Sequence, residues 1–237
     1  MCGRYRRTQK EEELAKLYGI KIPPARDVPI SWNVAPQQDV LAVRRNPDSG
    51  ERSLDALRWG LVPAWAKDPK VGYRTINARV ETVDTSPSYR SAFKKRRCLI
   101  PADGFYEWKK VAGGKLPYAI GMADGRPFAF AGLWEGWQDP ATGEWLRTCT
   151  ILTGRPNALV RTIHDRMPVI LPHDQQEAWL TASLSKGDLQ PFPAEAMKAW
   201  TVSTRVNNPK NNGPDLAEPV PVPRASSDTS GSTENSR

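Results

Sequence analysis

The chain has 237 residues, of which 39% are hydrophobic and 25% charged, a composition typical of a globular domain with a sizeable core. It shows neither the run of about 18 apolar residues that a membrane-spanning helix needs nor the apolar core of a signal peptide, so we expect a cytoplasmic protein. Thirty-four Lys and Arg residues against 26 Asp and Glu give a formal charge of +8, which favours a polyanionic partner without choosing between nucleic acid and anionic lipid.

The first half of the chain alternates helix, strand and loop signals. Thr8 and Glu11 have the spacing of a capping box and predict a short helix that begins near residue 9. Alternating apolar and polar residues between 39 and 62 flank a turn-rich segment and predict a hairpin. A loop rich in Pro, Gly and charge follows and carries Trp65, after which a basic stretch ending near residue 97 predicts a helix.

The second half is dominated by strand signals. Antiparallel strands joined by tight Gly-bearing turns are predicted from residue 97 to 153, and two further helices are predicted to open at Pro156 and at Asp174. We therefore predict an α+β fold, with a large antiparallel sheet or irregular β-barrel flanked by short helices. One domain would span residues 2–220, and the small polar residues of 221–237 predict a disordered tail.

The three cysteines are widely spaced and include no CxxC pair, so neither a disulfide framework nor a zinc site is indicated. We therefore expect no structural metal. Cys98 and Cys149 lie in apolar strand-like runs and are expected to be small buried core residues. Cys2 alone has an unusual position.

Cys2 offers a distinctive chemistry once Met1 is removed, which aminopeptidases do when the second residue is small. Its α-amine, with a pKa of about 7.7 to 8.0, and its thiol, with a pKa of about 8.5, would then lie on adjacent carbons. Such a 1,2-aminothiol condenses with an aldehyde to a Schiff base and then closes to a thiazolidine ring. The alternative interpretation is that Cys2 is only a small second residue.

Charged and amide side chains elsewhere could assist this chemistry. Arg4 belongs to a cluster of cations near the N-terminus that could hold phosphates, although a solvated basic terminus has the same composition. Asn77 could orient a sugar and Arg79 could clamp a phosphate, although Asn is often a turn residue. Glu107 lies among aromatic residues that would raise its pKa if they bury it; the alternative is a surface glutamate.

Two further side chains are candidates on their local setting. His164 precedes Asp165 and Arg166, which could hold the imidazole in one tautomer. Trp65 lies in a polar, Pro-rich loop, where its ring could stack on a base, although most tryptophans belong to the core.

Seven sequence blocks resemble the SRAP family, the SOS-response-associated peptidases, which are also called abasic-site processing proteins. The resemblance runs in the expected order from residue 2 to about 216. The blocks are MCGRY at the N-terminus, WNVAP at 32–36, WGLVPAWAKDP at 59–69, TINARVET at 75–82, RRCLIPADGFYEWKK at 96–110, IHDRMPVIL at 163–171 and RVNNPKNNGPDL at 205–216.

The resemblance implies that the chain binds single-stranded DNA containing an abasic site and bonds covalently to the sugar aldehyde. It implies a catalytic set made up of Cys2, Asn77, Glu107 and His164. It implies a DNA-binding set made up of Arg4, Trp65, Arg79 and Arg166. The implied protein needs no cofactor, no membrane and no obligate protein partner, and we expect a nucleoid-associated monomer.

Two other functions remain open at this stage. Cys2 could be the nucleophile of a cysteine peptidase that cleaves its own N-terminus or another protein, since an N-terminal nucleophile can use its own amine as base. A non-catalytic single-strand binder would need only the positive charge and the exposed aromatic residues.

Overall fold

The computed structural model describes residues 2–21 and 27–221. Its strands are β1 (Tyr5–Arg7), β2 (Ser31–Val34), β3 (Asp39–Arg45), β4 (Arg52–Trp59), β5 (Asn77–Arg79), β6 (Arg97–Ala102), β7 (Gly104–Val111), β8 (Gly114–Met122), β9 (Phe128–Gln138), β10 (Trp145–Gly154), β11 (Met167–Pro168), β12 (Ile170–Leu171) and β13 (Met197–Thr201). Its α-helices are α1 (Glu11–Tyr18), α2 (Arg90–Lys95), α3 (Ala158–Arg161) and α4 (Gln176–Leu180). Short 3-10 helices lie at Pro69–Arg74, Val80–Thr82, His173–Gln175, Lys186–Asp188, Ala194–Ala196, Thr204–Asn207 and Pro214–Ala217.

The strands form a closed barrel and a separate sheet. Pairing runs from β10 to β4, β3, β6 and β9, and β9 pairs back with β10, which closes a ring of five strands. The second sheet is antiparallel, in the order β13-β8-β7-β1-β2. The predicted α+β fold with an irregular barrel is confirmed.

β10 makes the barrel irregular because it changes partner along its length. Thr148 and Cys149 pair in parallel with β4, and residues 151–153 pair in parallel with β5. Both contacts join segments far apart in sequence, so the alternating pattern of each strand does not reveal them. The predicted antiparallel strands are present, and these two parallel pairings occur in addition to them.

One large cluster of buried apolar side chains joins the barrel strands to the second sheet, and another joins them to α1, α2 and α4. Cys98 and Cys149 are buried and free, as predicted. Tyr5 of β1 makes edge contacts with Trp59 and Phe130 of the barrel, with ring centroids 5.4 and 5.7 Å apart. β1 is therefore packed against the barrel on one face while it pairs within the sheet.

Two helices begin about two residues later in the chain than predicted. α1 begins at Glu11 rather than near residue 9, because Thr8 donates its hydroxyl to Asp103 and the backbone N–H of Lys10 is taken by Glu13 at 3.0 Å. At Asp174 the chain first forms the 3-10 helix and enters α4 only at Gln176.

The other local predictions agree with the structure. The hairpin of β3 and β4 pairs from Asp39–Arg58 to Arg45–Arg52, and α2 forms in the basic stretch. α3 follows Pro156, with Asn157 as its N-cap. The predicted polar tail from residue 222 onward lies outside the described residues. None of the helices in the described ranges is long and apolar enough to cross a membrane.

Candidate active site

The N-terminal segment places Cys2 inside the molecule. β1 pairs antiparallel with β7, and the Tyr106 N–H donates to the Arg4 carbonyl at 3.0 Å. This register runs the residues before β1 alongside the part of β7 that holds Glu107. Cys2 is fully buried, and its Sγ lies 3.8 Å from the Arg4 carbonyl oxygen.

Burial and charge both keep the Cys2 thiol protonated. Desolvation raises the pKa of the Cys2 thiol well above its ordinary value, and the negative charge of Glu107 raises it further. The thiol is therefore not a thiolate at neutral pH in this environment, and a proton acceptor must assist any reaction in which it attacks carbon.

Asn77 holds the backbone of Cys2. It opens β5, where it pairs with Ile151, and its Nδ2 donates to the Cys2 carbonyl at 2.8 Å. The Tyr89 hydroxyl donates to the Asn77 carbonyl at 3.1 Å, which fixes the strand from the other side. The Asn77 Oδ1 is buried and accepts no hydrogen bond from the residues that the structure describes. It can therefore receive a hydrogen bond from a ligand hydroxyl.

Glu107 is a buried carboxyl group in the middle of β7. Only 2% of its surface is exposed, and this burial raises the pKa of Glu107 to about 7. The side chain therefore gains and loses its proton near neutral pH, which suits a group that transfers protons in both directions.

His164 lies opposite Glu107 at the end of α3. Its Nε2 is 4.0 Å from the Glu107 carboxylate, and its backbone N–H donates to Val160 at 2.8 Å. The Arg166 N–H donates to Nδ1 at 3.0 Å, so the neutral ring carries its proton on Nε2, facing Glu107. Asp165 Oδ1 also lies 2.9 Å from Nδ1, where it can accept a hydrogen bond when Nδ1 carries a proton, but its side chain is 88% exposed. Burial lowers the pKa of His164, which favours the neutral ring.

Arg4 has most of its donors engaged within the protein. Its guanidinium donates to Asn33 Oδ1 at 2.9 Å and to the carbonyls of Val206 and Asn207 at 2.8 and 3.2 Å. The side chain thereby ties the N-terminal strand to the segment that follows β13. Asn33, which sequence reasoning missed, completes this contact by donating to the carbonyls of Val206, Asn208 and Asn211. Its only sequence signal is its position in the WNVAP block.

Arg79 and Arg166 both lie next to Thr153 of β10. Arg79 ends β5 opposite Thr153 and is exposed, whereas Arg166 donates to the Thr153 carbonyl at 2.6 Å. Arg166 also makes a two-pronged ion pair with Glu81 at 2.6 and 2.9 Å. Arg79 therefore presents a charge to solvent, while much of the Arg166 charge is compensated.

Trp65 is 63% exposed, and its Nε1 donates to the Pro87 carbonyl at 3.3 Å. One edge of the indole ring is therefore held, while most of the surface of the Trp65 side chain faces solvent.

The structure brings the buried residues Cys2, Asn77 and Glu107 into one buried cluster, with His164, whose side chain is 26% exposed, beside Glu107. Trp65 and Arg79 lie on the surface. Within the described ranges, no group of three or more His, Cys, Asp or Glu side chains is arranged to hold a metal ion.

The chain resembles known proteins over nearly its whole length. It is 44% identical to the abasic site processing protein YoqW of Bacillus subtilis, over 92% of this chain and 99% of the relative. It is 32% identical to the abasic site processing protein YedK of Escherichia coli, over 93% and 100%. A crystal structure of a Bacteroides thetaiotaomicron protein aligns with a TM-score of 0.83 at 28% identity, covering 92% of this chain and all of that one.

The family model described as SOS response associated peptidase matches residues 1–209. The matched range contains all the residues of the buried cluster. The chain therefore belongs to the SRAP family.

Proposed function

We propose that the protein recognises an abasic site in single-stranded DNA and, after removal of Met1, bonds covalently to the opened sugar through Cys2. The observation that carries the proposal is the buried cluster, in which Asn77 holds the Cys2 carbonyl and Glu107 acts electrostatically on the Cys2 thiol. The printed names of the relatives, abasic site processing proteins, support the same substrate.

The chemistry begins when the ring of the abasic sugar opens to its aldehyde form. Glu107, with a pKa of about 7, transfers the proton that ring opening requires. The neutral Cys2 amine attacks the aldehyde carbon, a C–N bond forms, and the carbinol oxygen leaves as water after protonation. The thiol then adds to the imine carbon, its proton passing to nitrogen, and the C–S bond closes the thiazolidine. Aminothiol and aldehyde thus give thiazolidine and water.

The neighbouring groups have supporting roles in this scheme. His164, with its Nε2 facing Glu107, relays a proton at the sugar hydroxyl and in reversal of the crosslink. Arg79 is exposed and contacts a phosphate, and Trp65 stacks against the DNA. Arg4 and Arg166 act on the DNA with the donors that their protein contacts leave available.

Crosslinking on a denaturing gel tests the proposal directly. Met-trimmed protein is incubated with a single-stranded oligonucleotide that carries one abasic site, beside an undamaged oligonucleotide and a Cys2→Ala variant. We expect a shifted band that requires both the lesion and Cys2. An equal yield of crosslink with Cys2→Ala would end the proposal.

The peptidase alternative is less well supported by the site. Burial raises the pKa of the Cys2 thiol, so a peptidase would lack a preformed thiolate and would depend on the Cys2 amine as its base. Intact-mass measurement separates the two functions, because loss of Met1 without turnover of peptide substrates contradicts a general peptidase.

The denaturing gel also tests the alternative of a non-catalytic binder. If the denatured protein retained abasic and undamaged DNA equally, that alternative would be favoured.

A further inference from the structure

Asp103 occupies the turn between β6 and β7 and binds the residues that follow β1. Its Oδ2 accepts hydrogen bonds from the Thr8 N–H at 3.2 Å, from the Thr8 hydroxyl, and from Gln9 Nε2 at 3.3 Å. The side chain is 10% exposed. This carboxylate takes no part in the buried cluster around Cys2.

The backbone of the same turn also binds β1. The Asp103 N–H donates to the Arg6 carbonyl at 3.1 Å, and the Arg6 guanidinium donates to the Asp103 carbonyl at 3.2 Å. Gly104 leaves the room for this contact, because a Cβ there would lie 2.6 Å from Arg6 Nε. Residues 6 to 9 are therefore fixed to one turn by backbone and side-chain bonds together.

β1 needs such a fixation because it is short. The strand has three residues, and its ladder with β7 consists of the pairs Tyr5–Phe105 and Arg6–Gly104. A slip by one residue would turn every side chain of the strand to the opposite face. It would also shift Cys2 along β7 by about 3.3 Å relative to Glu107.

We propose that Asp103 is a positioning residue, whose carboxylate sets the register of β1 and thereby the alignment of Cys2 with Glu107. It acts on the covalent step without touching the DNA. The inference rests on the proposed function, since the step that it accelerates is formation of the crosslink.

The test compares three variants with the parent protein. Asp103→Ala removes the acceptor, Asp103→Asn keeps one carbonyl acceptor, and Thr8→Val removes only the hydroxyl donor at constant size. Asp55→Ala is the matched control, since Asp55 is a partly buried carboxylate of the barrel that accepts from Arg44 at 2.7 Å and Ser53 at 2.5 Å. The rate of crosslinking is measured at saturating abasic DNA, and the Kd is measured for undamaged DNA.

We expect Asp103→Ala to slow crosslinking by about 10- to 100-fold, the range that a displacement on the order of 1 Å produces. The Kd for undamaged DNA should stay within about twofold of the parent value, because the noncovalent contacts remain. Thr8→Val should slow the reaction less, and Asp103→Asn should recover most of the rate. An equal slowing in Asp55→Ala, or a Kd that weakens as much as the rate falls, would assign Asp103 to general stability and overturn the inference.

Hydrogen exchange of the Tyr106 amide gives a readout that does not depend on DNA. This amide donates to the Arg4 carbonyl across the β1–β7 ladder, so a loosened register exposes it. Asp103→Ala should speed its exchange by about tenfold or more, and Asp55→Ala should not. If the parent protein forms no crosslink, the proposed function fails while this exchange still tests the register. Unchanged exchange in Asp103→Ala overturns the positioning role.

Discussion

Glu107 and His164 face each other across 4.0 Å, and burial moves the two pKa values in opposite directions. Burial raises the pKa of Glu107 to about 7 and lowers the pKa of His164 from its ordinary 6.5. The usual order is reversed, because in water a carboxylic acid loses its proton before an imidazolium does. Near pH 6.5 to 7 both side chains can thus be neutral, with a carboxylic acid available as donor.

This reversal gives a pH prediction for crosslinking. Glu107 is protonated below its pKa of about 7 and ionised above it, so a step that needs the acid slows as pH rises. The amine of Cys2 must be neutral, so its attack speeds up as pH rises through about 8. We expect a bell-shaped rate profile with its maximum between these two values.

Substitution at Glu107 separates the two limbs of the profile. Glu107→Gln keeps the size of the side chain but transfers no proton, so the rate should fall by about 100-fold or more and the alkaline decline should disappear. The measurement is the single-turnover crosslinking rate from pH 5.5 to about 9. Persistence of the alkaline decline in Glu107→Gln would assign it to another group.

At the scale of single elements, α3 shows how a short helix is kept in place. It has four residues, and Asn157 caps it by accepting the Val160 N–H at 2.9 Å while donating to the Phe192 carbonyl at 2.8 Å. Shortly after α3 ends at Arg161, the His164 N–H donates to the Val160 carbonyl at 2.8 Å. The cap and this bond both engage Val160, so the cap supports the backbone that carries His164.

Removal of this cap should destabilise the fold measurably. We expect Asn157→Ala to lower the free energy of unfolding by about 1 to 2 kcal/mol, since both a cap and a buried amide contact are lost. Asn157→Ser keeps an uncharged capping oxygen and should recover part of the loss. Urea unfolding measures both; a loss in Asn157→Ser as large as in Asn157→Ala would show that the cap contributes nothing.

At the scale of the whole molecule, the arginines behind the net charge of +8 differ in how far neighbouring carboxylates compensate them. Arg166 is compensated by Glu81, whereas Arg79 is exposed at the end of β5. A cation that neutralises a phosphate of single-stranded DNA releases counterions, and each such contact adds about 0.7 to the slope of log affinity against log salt.

Salt titration of binding to undamaged single-stranded DNA should therefore identify Arg79. We expect Arg79→Ala to reduce the magnitude of the slope by about 0.7. Arg126→Ala is the matched control, because Arg126 is an exposed arginine paired with Asp124 in the β8–β9 turn. Equal slopes for Arg79→Ala and the parent protein would exclude a phosphate contact at Arg79.

Local patterns predicted the elements of this fold better than their assembly. The β3–β4 hairpin and the strands from β6 to β10 follow from alternation and Gly-bearing turns, because these signals lie within each segment. Closure of the barrel depends on parallel pairing of β10 with β4, which no local pattern encodes. The start of α1 was missed because Thr8 bonds to Asp103, a residue 95 positions away.

In the candidate site, too, the individual residues were predicted better than the way they come together. The resemblance named Cys2, Asn77, Glu107 and His164, but their proximity depends on the register of β1 beside β7 and on the pairing of β5 with β10. Asn33 and Asp103 lie inside the resembling blocks, yet their contacts connect distant segments. Sequence reasoning therefore named the side chains of the candidate site and missed side chains that connect the segments around it.

The complete burial of Cys2 also bears on how long the protein keeps its reactivity. Peroxide oxidises the thiolate form of an accessible cysteine, and burial holds the Cys2 thiol protonated and out of contact with solvent. Under the proposed function Cys2 forms the covalent bond to the DNA, so a molecule with an oxidised Cys2 could no longer react. The environment that slows the thiol as a nucleophile therefore also preserves it in reduced form while the protein waits for a damaged strand.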